Sequence, residues 1–342
     1  MLKVIVKSLI LSALVFMSSG NQRPDLNLGP SDYFNKESSI PKIPQINKLS
    51  YNTLCRSISF TQTDKNLCLL NFGFKDSQRP PIRIAIVDTG IDKNHPFLKN
   101  YIAHTGYDLT KKKANAFHDV SGHGTHVAGI IVQQIESLSD MTQTIIPFEL
   151  VSVKYTDFGH DFSLGPAINY VITHEKIDIL NISSYGDTFD DDEMLALKNA
   201  EAQQIQVVAA SGNESKSLDT YKTRGFPCSF NMDNIICVAN LTSEGKISAT
   251  SNFGSKIDTA TLGTNVMSTI PGNNWKALSG SSMAVPRITA LMAYAKAINN
   301  KKSFYHKTDI IKLNDPLITL NGKAKGGILD FQKIVSQIPL FE

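Results

Sequence analysis

The sequence predicts an α/β fold: a mostly parallel central sheet flanked by helices, three layers deep. Two observations carry this. Short apolar runs alternate with stretches of helical spacing, and the runs are almost continuously hydrophobic, as strands covered on both faces must be. A third is composition. The chain has 342 residues, 42% hydrophobic and 19% charged, enough apolar material for a sizeable packed core.

The chain opens on an export-like start at residues 1–20. Lys3 and Lys7 precede an apolar stretch, and Ser18, Ser19 and Gly20 supply the small residues a signal peptidase requires. Residues 21–80 turn to Asn, Pro, Ser and Lys with little periodicity, and read as an extended arm or a short pro-segment. From residue 81 to about 340 the texture changes to that of one packed domain. Runs at 82–87, 148–153, 177–182, 205–210 and 235–239 read as strands, and 125–137, 166–174 and 193–203 carry helical spacing. In such sheets ligands bind beyond the C-terminal ends of the strands.

Charge and cysteine content narrow the function. The formal charge is +3, and losing the first twenty residues would leave +1, so no nucleic-acid partner is indicated. No apolar run reaches the roughly 20 residues of a membrane span. Cys55 and Cys68, then Cys228 and Cys237, lie close in sequence and are expected to form two local disulfides, although four cysteines allow three pairings. Secretion or a periplasmic location agrees with both the cysteines and the start of the chain.

The chemistry sits at the predicted strand ends. Strand 82–87 runs into Asp88-Thr89-Gly90, a carboxylate on a glycine turn. Ser121-Gly122-His123-Gly124-Thr125-His126 places an imidazole where a helix begins. Ser279-Gly280-Ser281-Ser282-Met283-Ala284-Val285-Pro286 does the same for a hydroxyl, ahead of an apolar face running to Ile298. A carboxylate, an imidazole and a hydroxyl are what acyl transfer needs. Ser211-Gly212-Asn213 then brings an amide able to donate to a developing oxyanion, beside the backbone N–H of Ser282.

Together these motifs resemble the subtilisin family of serine peptidases, in the order Asp, His, Ser and over residues 82–335. A closing Gly326-Gly327-Ile328-Leu329-Asp330 is similar to that family's C-terminal end. The resemblance implies a serine endopeptidase acting through an acyl-enzyme, with Ser282 as nucleophile, His123 as general base and acid, Asp88 as its orienting partner and Asn213 as oxyanion donor. It also implies protein or peptide substrates, lying as an extended strand against Ser183, Ser184, Tyr185 and Gly186 on one side and Ala210, Ser211 and Gly212 on the other. No cofactor or metal is expected, and a monomer is.

Departures from the family pattern matter as much. Ser281 stands where a threonine is usual. The stretch at 132–147 lacks the Asn-rich calcium loop, so no calcium site is carried over. Ser184-Tyr185-Gly186 replaces an aliphatic residue followed by glycine, and a tyrosine entering the cleft there would narrow or cap a specificity pocket. His118, His123 and His126 allow a zinc reading, but it leaves Ser282 and Asn213 unexplained. Asp92 and Asp119 read as turn or cap residues, and Asp190 to Glu193 as a charged helix start. The competing reading from another class is a secreted binding or scaffold protein that keeps the fold without turnover. An esterase is disfavoured because no Gly-x-Ser-x-Gly elbow surrounds Ser282.

Overall fold

The computed structural model describes residues 80–114, 117–142, 145–157, 163–298, 305–307, 309 and 324. The export-like start, the arm with Cys55 and Cys68, and the 326–330 segment lie outside the described residues.

In chain order the elements are strands β1 (Ile82–Asp88), β2 (Ile102–Asp108) and β3 (Lys113–Ala114), helix α1 (His123–Thr142), strand β4 (Phe148–Lys154), helix α2 (Leu164–His174), strand β5 (Ile179–Ile182), helix α3 (Asp191–Ala202), strands β6 (Gln206–Ala210), β7 (Ile235–Leu241), β8 (Thr259–Leu262), β9 (Val266–Ile270) and β10 (Asn274–Leu278), and helix α4 (Ser281–Ile298). The main sheet runs β3-β2-β4-β1-β5-β6-β7-β8, and every neighbouring pair is parallel except β2 with β3. The chain leaves β1 toward one edge, returns through β4 beside it, and then crosses to build the other half from β5. The order therefore reverses at β1, where the C-terminal strand ends open a crevice.

Two apolar layers explain the continuous strand runs. Ile84 and Ile86 of β1 join Phe148 and Leu150 of β4 in a core with α1 and α4. Ala85 and Val87, with Val151 and Val153, face the opposite way into a core with α2 and α3. The central strands are thus largely apolar on both faces, and the alternation with polar residues disappears.

The five apolar runs became strands within two residues of their expected ends. β2, reading Ile-Ala-His-Thr-Gly-Tyr-Asp, carried no such signal because three of its residues are polar, and its register shifts between Ile102 and Gly106. The antiparallel β9–β10 pair, outside the main sheet, was also unanticipated.

Helix α4 differs from expectation in kind. Its sequence suggested one apolar face, yet Met283 through Ala295 are all buried. It is the helix between sheet and α1, surrounded on every side. Pro286 lies inside it and has no N–H to give the carbonyl of Ser282 four residues earlier. That carbonyl is instead taken by the Ser183 hydroxyl at 3.1 Å.

Helix α3 starts as its charges suggested. The Asp190 side chain caps it, accepting from the N–H groups of Asp192 and Glu193. Glu193 itself is only 7% exposed. Burial, with the Asp190 charge next in weight, pushes its carboxyl up to about 7 from 4.5. A carboxyl that holds its proton better folded than unfolded lowers stability as pH rises between those values. Glu193→Gln is therefore expected to raise the melting temperature by several degrees at pH 8, from a penalty of order 3 kcal/mol. At pH 4.5 the two proteins should melt together. Equal melting temperatures at pH 8 would show that the buried carboxyl carries no such penalty.

Candidate active site

Three strand ends and two helix starts meet at the crevice. Asp88 is the last residue of β1 and 3% exposed, and its Oδ1 accepts from His123 Nδ1 at 2.7 Å and from the Thr89 N–H at 2.8 Å. His123 opens α1. Its approach to the strand end depends on Gly124, where any Cβ would sit 2.1 Å from the Gly90 carbonyl oxygen.

The end of β1 and the approach to α1 are tied together at several points. Asp119 Oδ1 accepts from Thr89 Oγ1 and the Gly122 N–H, and its Oδ2 from the Thr125 N–H and hydroxyl, all within 2.9 Å. The expected cap role of Asp119 is what the structure shows. Thr89 Oγ1 in turn accepts from the Gly124 N–H. From below, the buried Lys154 at the end of β4 donates to the carbonyls of Thr89 and His118, each at 3.0 Å, and pairs with Asp157. Asp92 is also a turn residue, accepting from the N–H groups of Asn94 and Gly272.

Desolvation by burial disfavours a charged His123. The Asp88 charge and hydrogen bond, helped by Asp119, outweigh it and hold the imidazole above its ordinary value near 6.5. His126, one helical turn on, behaves oppositely. Burial lowers it to about 4, and its Nε2–H donates to the Lys276 carbonyl at 2.9 Å, so it is a neutral core histidine binding α1 to β10. Among the described residues no group of three or more His, Cys, Asp or Glu side chains is placed to hold a metal ion.

Ser282 is placed by a reciprocal pair of bonds. Its hydroxyl donates to the Ser183 carbonyl at 2.9 Å, and the Ser183 hydroxyl donates to its carbonyl. Ser183 is fixed by Asn181 Nδ2 at 3.0 Å, and Asn181 Oδ1 accepts from the Thr289 hydroxyl of α4 at 2.8 Å. Extending the β1–β5 register, in which Ile86 faces Asn181, by two residues sets Ser183 beside Asp88. Neighbouring strands are about 4.8 Å apart. The residue that holds the hydroxyl thus neighbours the one that holds the imidazole.

On the far side, Asn213 Oδ1 accepts from the Ser281 N–H at 2.9 Å. Facing a donor fixes the amide orientation and leaves Nδ2 available to donate. Ser281, the departure from threonine, is fully buried, and its hydroxyl accepts from the Gly212 N–H at 3.1 Å. Asn252 braces this loop, donating to Ser211 O and Glu214 Oε2 and accepting from the N–H groups of Glu214 and Lys216.

The expected flanking segments follow two adjacent strands of the sheet. Ser183, Ser184, Tyr185 and Gly186 follow β5, while Ala210 ends β6 and leads to Ser211 and Gly212. Gly186 forms an antiparallel bridge with Phe226. Cys228 and Cys237 are disulfide-bonded, joining that segment to β7. Sequence reasoning missed Lys154, Asn252 and the Asn181–Thr289 pair. Only Lys154 had a signal, a charge closing a strand that is largely apolar after Glu149.

An Asp88–His123 hydrogen bond at a strand end and a serine in the first turn of a buried helix, on a mostly parallel sheet covered by helices, are features of a serine hydrolase of three-layer α/β architecture. The subtilase family profile matches residues 81–314. Over 235 residues the chain is 32% identical to the major intracellular serine protease of Bacillus subtilis, covering 66% of this chain and 71% of that one. Subtilisin E of the same organism is 30% identical over 215 residues, covering 62% of this chain and 54% of it. A cold-adapted subtilisin-like serine proteinase superposes with a TM-score of 0.59 at 18% identity, over 75% of this chain and 94% of that one. An epidermin leader peptide processing serine protease from Staphylococcus aureus does so at 0.61 and 20% identity, over 76% of each. The chain belongs to the subtilase family and is a subtilisin-like serine endopeptidase.

Proposed function

We propose that the protein is an exported endopeptidase that cleaves protein or peptide substrates through an acyl-enzyme on Ser282. The observation that carries this reading is the Asp88–His123 hydrogen bond set beside the strand position that anchors Ser282. In the reaction the Ser282 hydroxyl leaves the Ser183 carbonyl by a rotamer change and passes its proton to neutral His123 as it attacks the peptide carbonyl. Asn213 Nδ2 and the Ser282 N–H, at the unsatisfied first turn of α4, receive the oxyanion. The imidazolium returns its proton to the departing amine, and water then repeats the sequence on the ester. Ser183 to Gly186 and Ala210 to Gly212 offer strand edges to the substrate main chain, which accommodates many sequences.

Export rests on Lys3, Lys7 and the apolar and small residues after them, and the Cys228–Cys237 disulfide agrees with an oxidising compartment. Among the described residues no helix is long and apolar enough to cross a membrane. Residues 81–340 are the peptidase domain in this reading, 1–20 are removed, and the molecule acts alone as a monomer.

A small alkyl fluorophosphonate is expected to form one adduct per chain, mapped by peptide mass to Ser282, and to stop cleavage of casein in proportion. Casein cleavage that survives full labelling, or no adduct on folded protein, would refute the nucleophile. The latter result would favour a binding protein that keeps the fold.

A further inference from the structure

Tyr185 lies between two glycines from other segments. A Cβ built on Gly225 would fall 2.1 Å from its Cε2, and one built on Gly212 would fall 2.5 Å from its Cδ2. The ring therefore rests against both glycine backbones, in a space that any side chain at either position would close. Its hydroxyl is buried there and makes no hydrogen bond of ordinary geometry among the described residues. Burial, followed by the charges of Glu214 and Asp187, raises the phenol above its usual value, so the group stays neutral at physiological pH.

This slot adjoins the reacting atoms. Gly212 directly precedes Asn213, and Tyr185 is two residues from Ser183, roughly 7 Å along an extended chain. A peptide whose carbonyl oxygen reaches Asn213 Nδ2 and the Ser282 N–H must place the side chain of that same residue alongside. The walls are not free to part. Gly186 is bridged to Phe226 by N–H···O bonds of 3.1 and 2.8 Å, Cys228 is held to Cys237, and the Gly212 N–H is held by Ser281.

We propose that Tyr185 is a specificity-determining residue, filling the slot that would otherwise accept the side chain on the acyl side of the scissile bond. The enzyme is then restricted to substrates with glycine, alanine or serine at that position. A flat space walled by two glycine backbones fits an aromatic ring, and here the protein supplies the ring itself. The proposal rests on the assignment of Ser282 and Asn213 above.

The test compares kcat/KM on matched peptide amides with alanine or phenylalanine at the acyl position, for the wild type, Tyr185→Gly and Tyr185→Phe. The wild type should prefer alanine by at least about tenfold. Tyr185→Gly should raise kcat/KM for the phenylalanine peptide about tenfold or more relative to alanine, whereas Tyr185→Phe, which keeps the ring, should hold the original ratio. If Tyr185→Gly is poorly folded by circular dichroism, Tyr185→Ala serves in its place with the same expected direction. A wild type that prefers phenylalanine would show that the ring swings away, overturning the proposal. So would an unchanged ratio after ring removal. Labelling by the small fluorophosphonate, which carries no such side chain, separates the two levels: labelling with the wrong ratio sinks this proposal alone, and no labelling sinks the nucleophile and this proposal with it.

Discussion

Ser282→Ala is expected to lower kcat by about 10⁶-fold, the scale that loss of the nucleophile has in subtilisin, while the protein stays folded. The two halves of that expectation have separate grounds. Without Oγ there is no atom to carry the acyl group, so only donor and binding effects remain. The fold survives because, among the described residues, the hydroxyl makes one hydrogen bond, to the Ser183 carbonyl, worth about 1 kcal/mol. The reciprocal bond, from Ser183 Oγ to the main-chain carbonyl at 282, does not involve the side chain and persists. Alanine is also a good helix former.

The neighbouring serine gives a sharp contrast. Ser281 is fully buried, and its hydroxyl receives the buried Gly212 N–H. Removing it leaves that donor unsatisfied at a cost of about 1–3 kcal/mol and loosens the loop bearing Asn213. The two adjacent hydroxyls are thus told apart by thermal melting and single-turnover kinetics. Turnover by Ser282→Ala within a hundredfold of wild type would show that another group attacks.

Much of this site was legible because its chemistry is local in sequence. Each reactive residue sits where an apolar run stops or a helical pattern starts, and the sheet topology carries those ends to one edge. Asp88, His123 and Ser282 could be named from their own neighbours. What holds them in place could not. Asn252 reaches back to Ser211 and Glu214 with nothing in its own surroundings to announce the role, and the Thr289–Asn181–Ser183 chain spans α4 and β5. Such partners are chosen by packing, which no local pattern encodes. β2 and the β9–β10 pair were invisible for a related reason: they are polar enough to hide from an apolar-run criterion, and pairing defines them. Tyr185 stands between these cases. The sequence marks it as unusual, but only the positions of Gly212 and Gly225 decide that its ring points into the slot.

Asp88→Asn separates the charge at this position from its geometry. Asparagine keeps an acceptor oxygen where Asp88 Oδ1 now receives both the Thr89 N–H and His123 Nδ1–H, so the imidazole can retain its orientation. What disappears is the negative charge that stabilises an imidazolium formed in a buried site. A fall in kcat of about 10⁴-fold is expected, the scale of the equivalent change in a serine peptidase triad, with a much smaller change in KM. The pH profile provides a second reading with a fixed sign. In the wild type burial favours neutral His123, but Asp88 and Asp119 together reverse that and raise its pKa above 6.5. Activity should therefore be lost as pH falls through a value above 6.5, because only the neutral ring accepts the serine proton. Without the Asp88 charge the burial effect is opposed by Asp119 alone, and the acid limb of the residual activity must move to lower pH. A limb that stays in place, or moves up, would mean that Asp88 does not set the protonation of His123. The 2.7 Å contact would then be a structural hydrogen bond, and the catalytic pairing would have to be sought elsewhere.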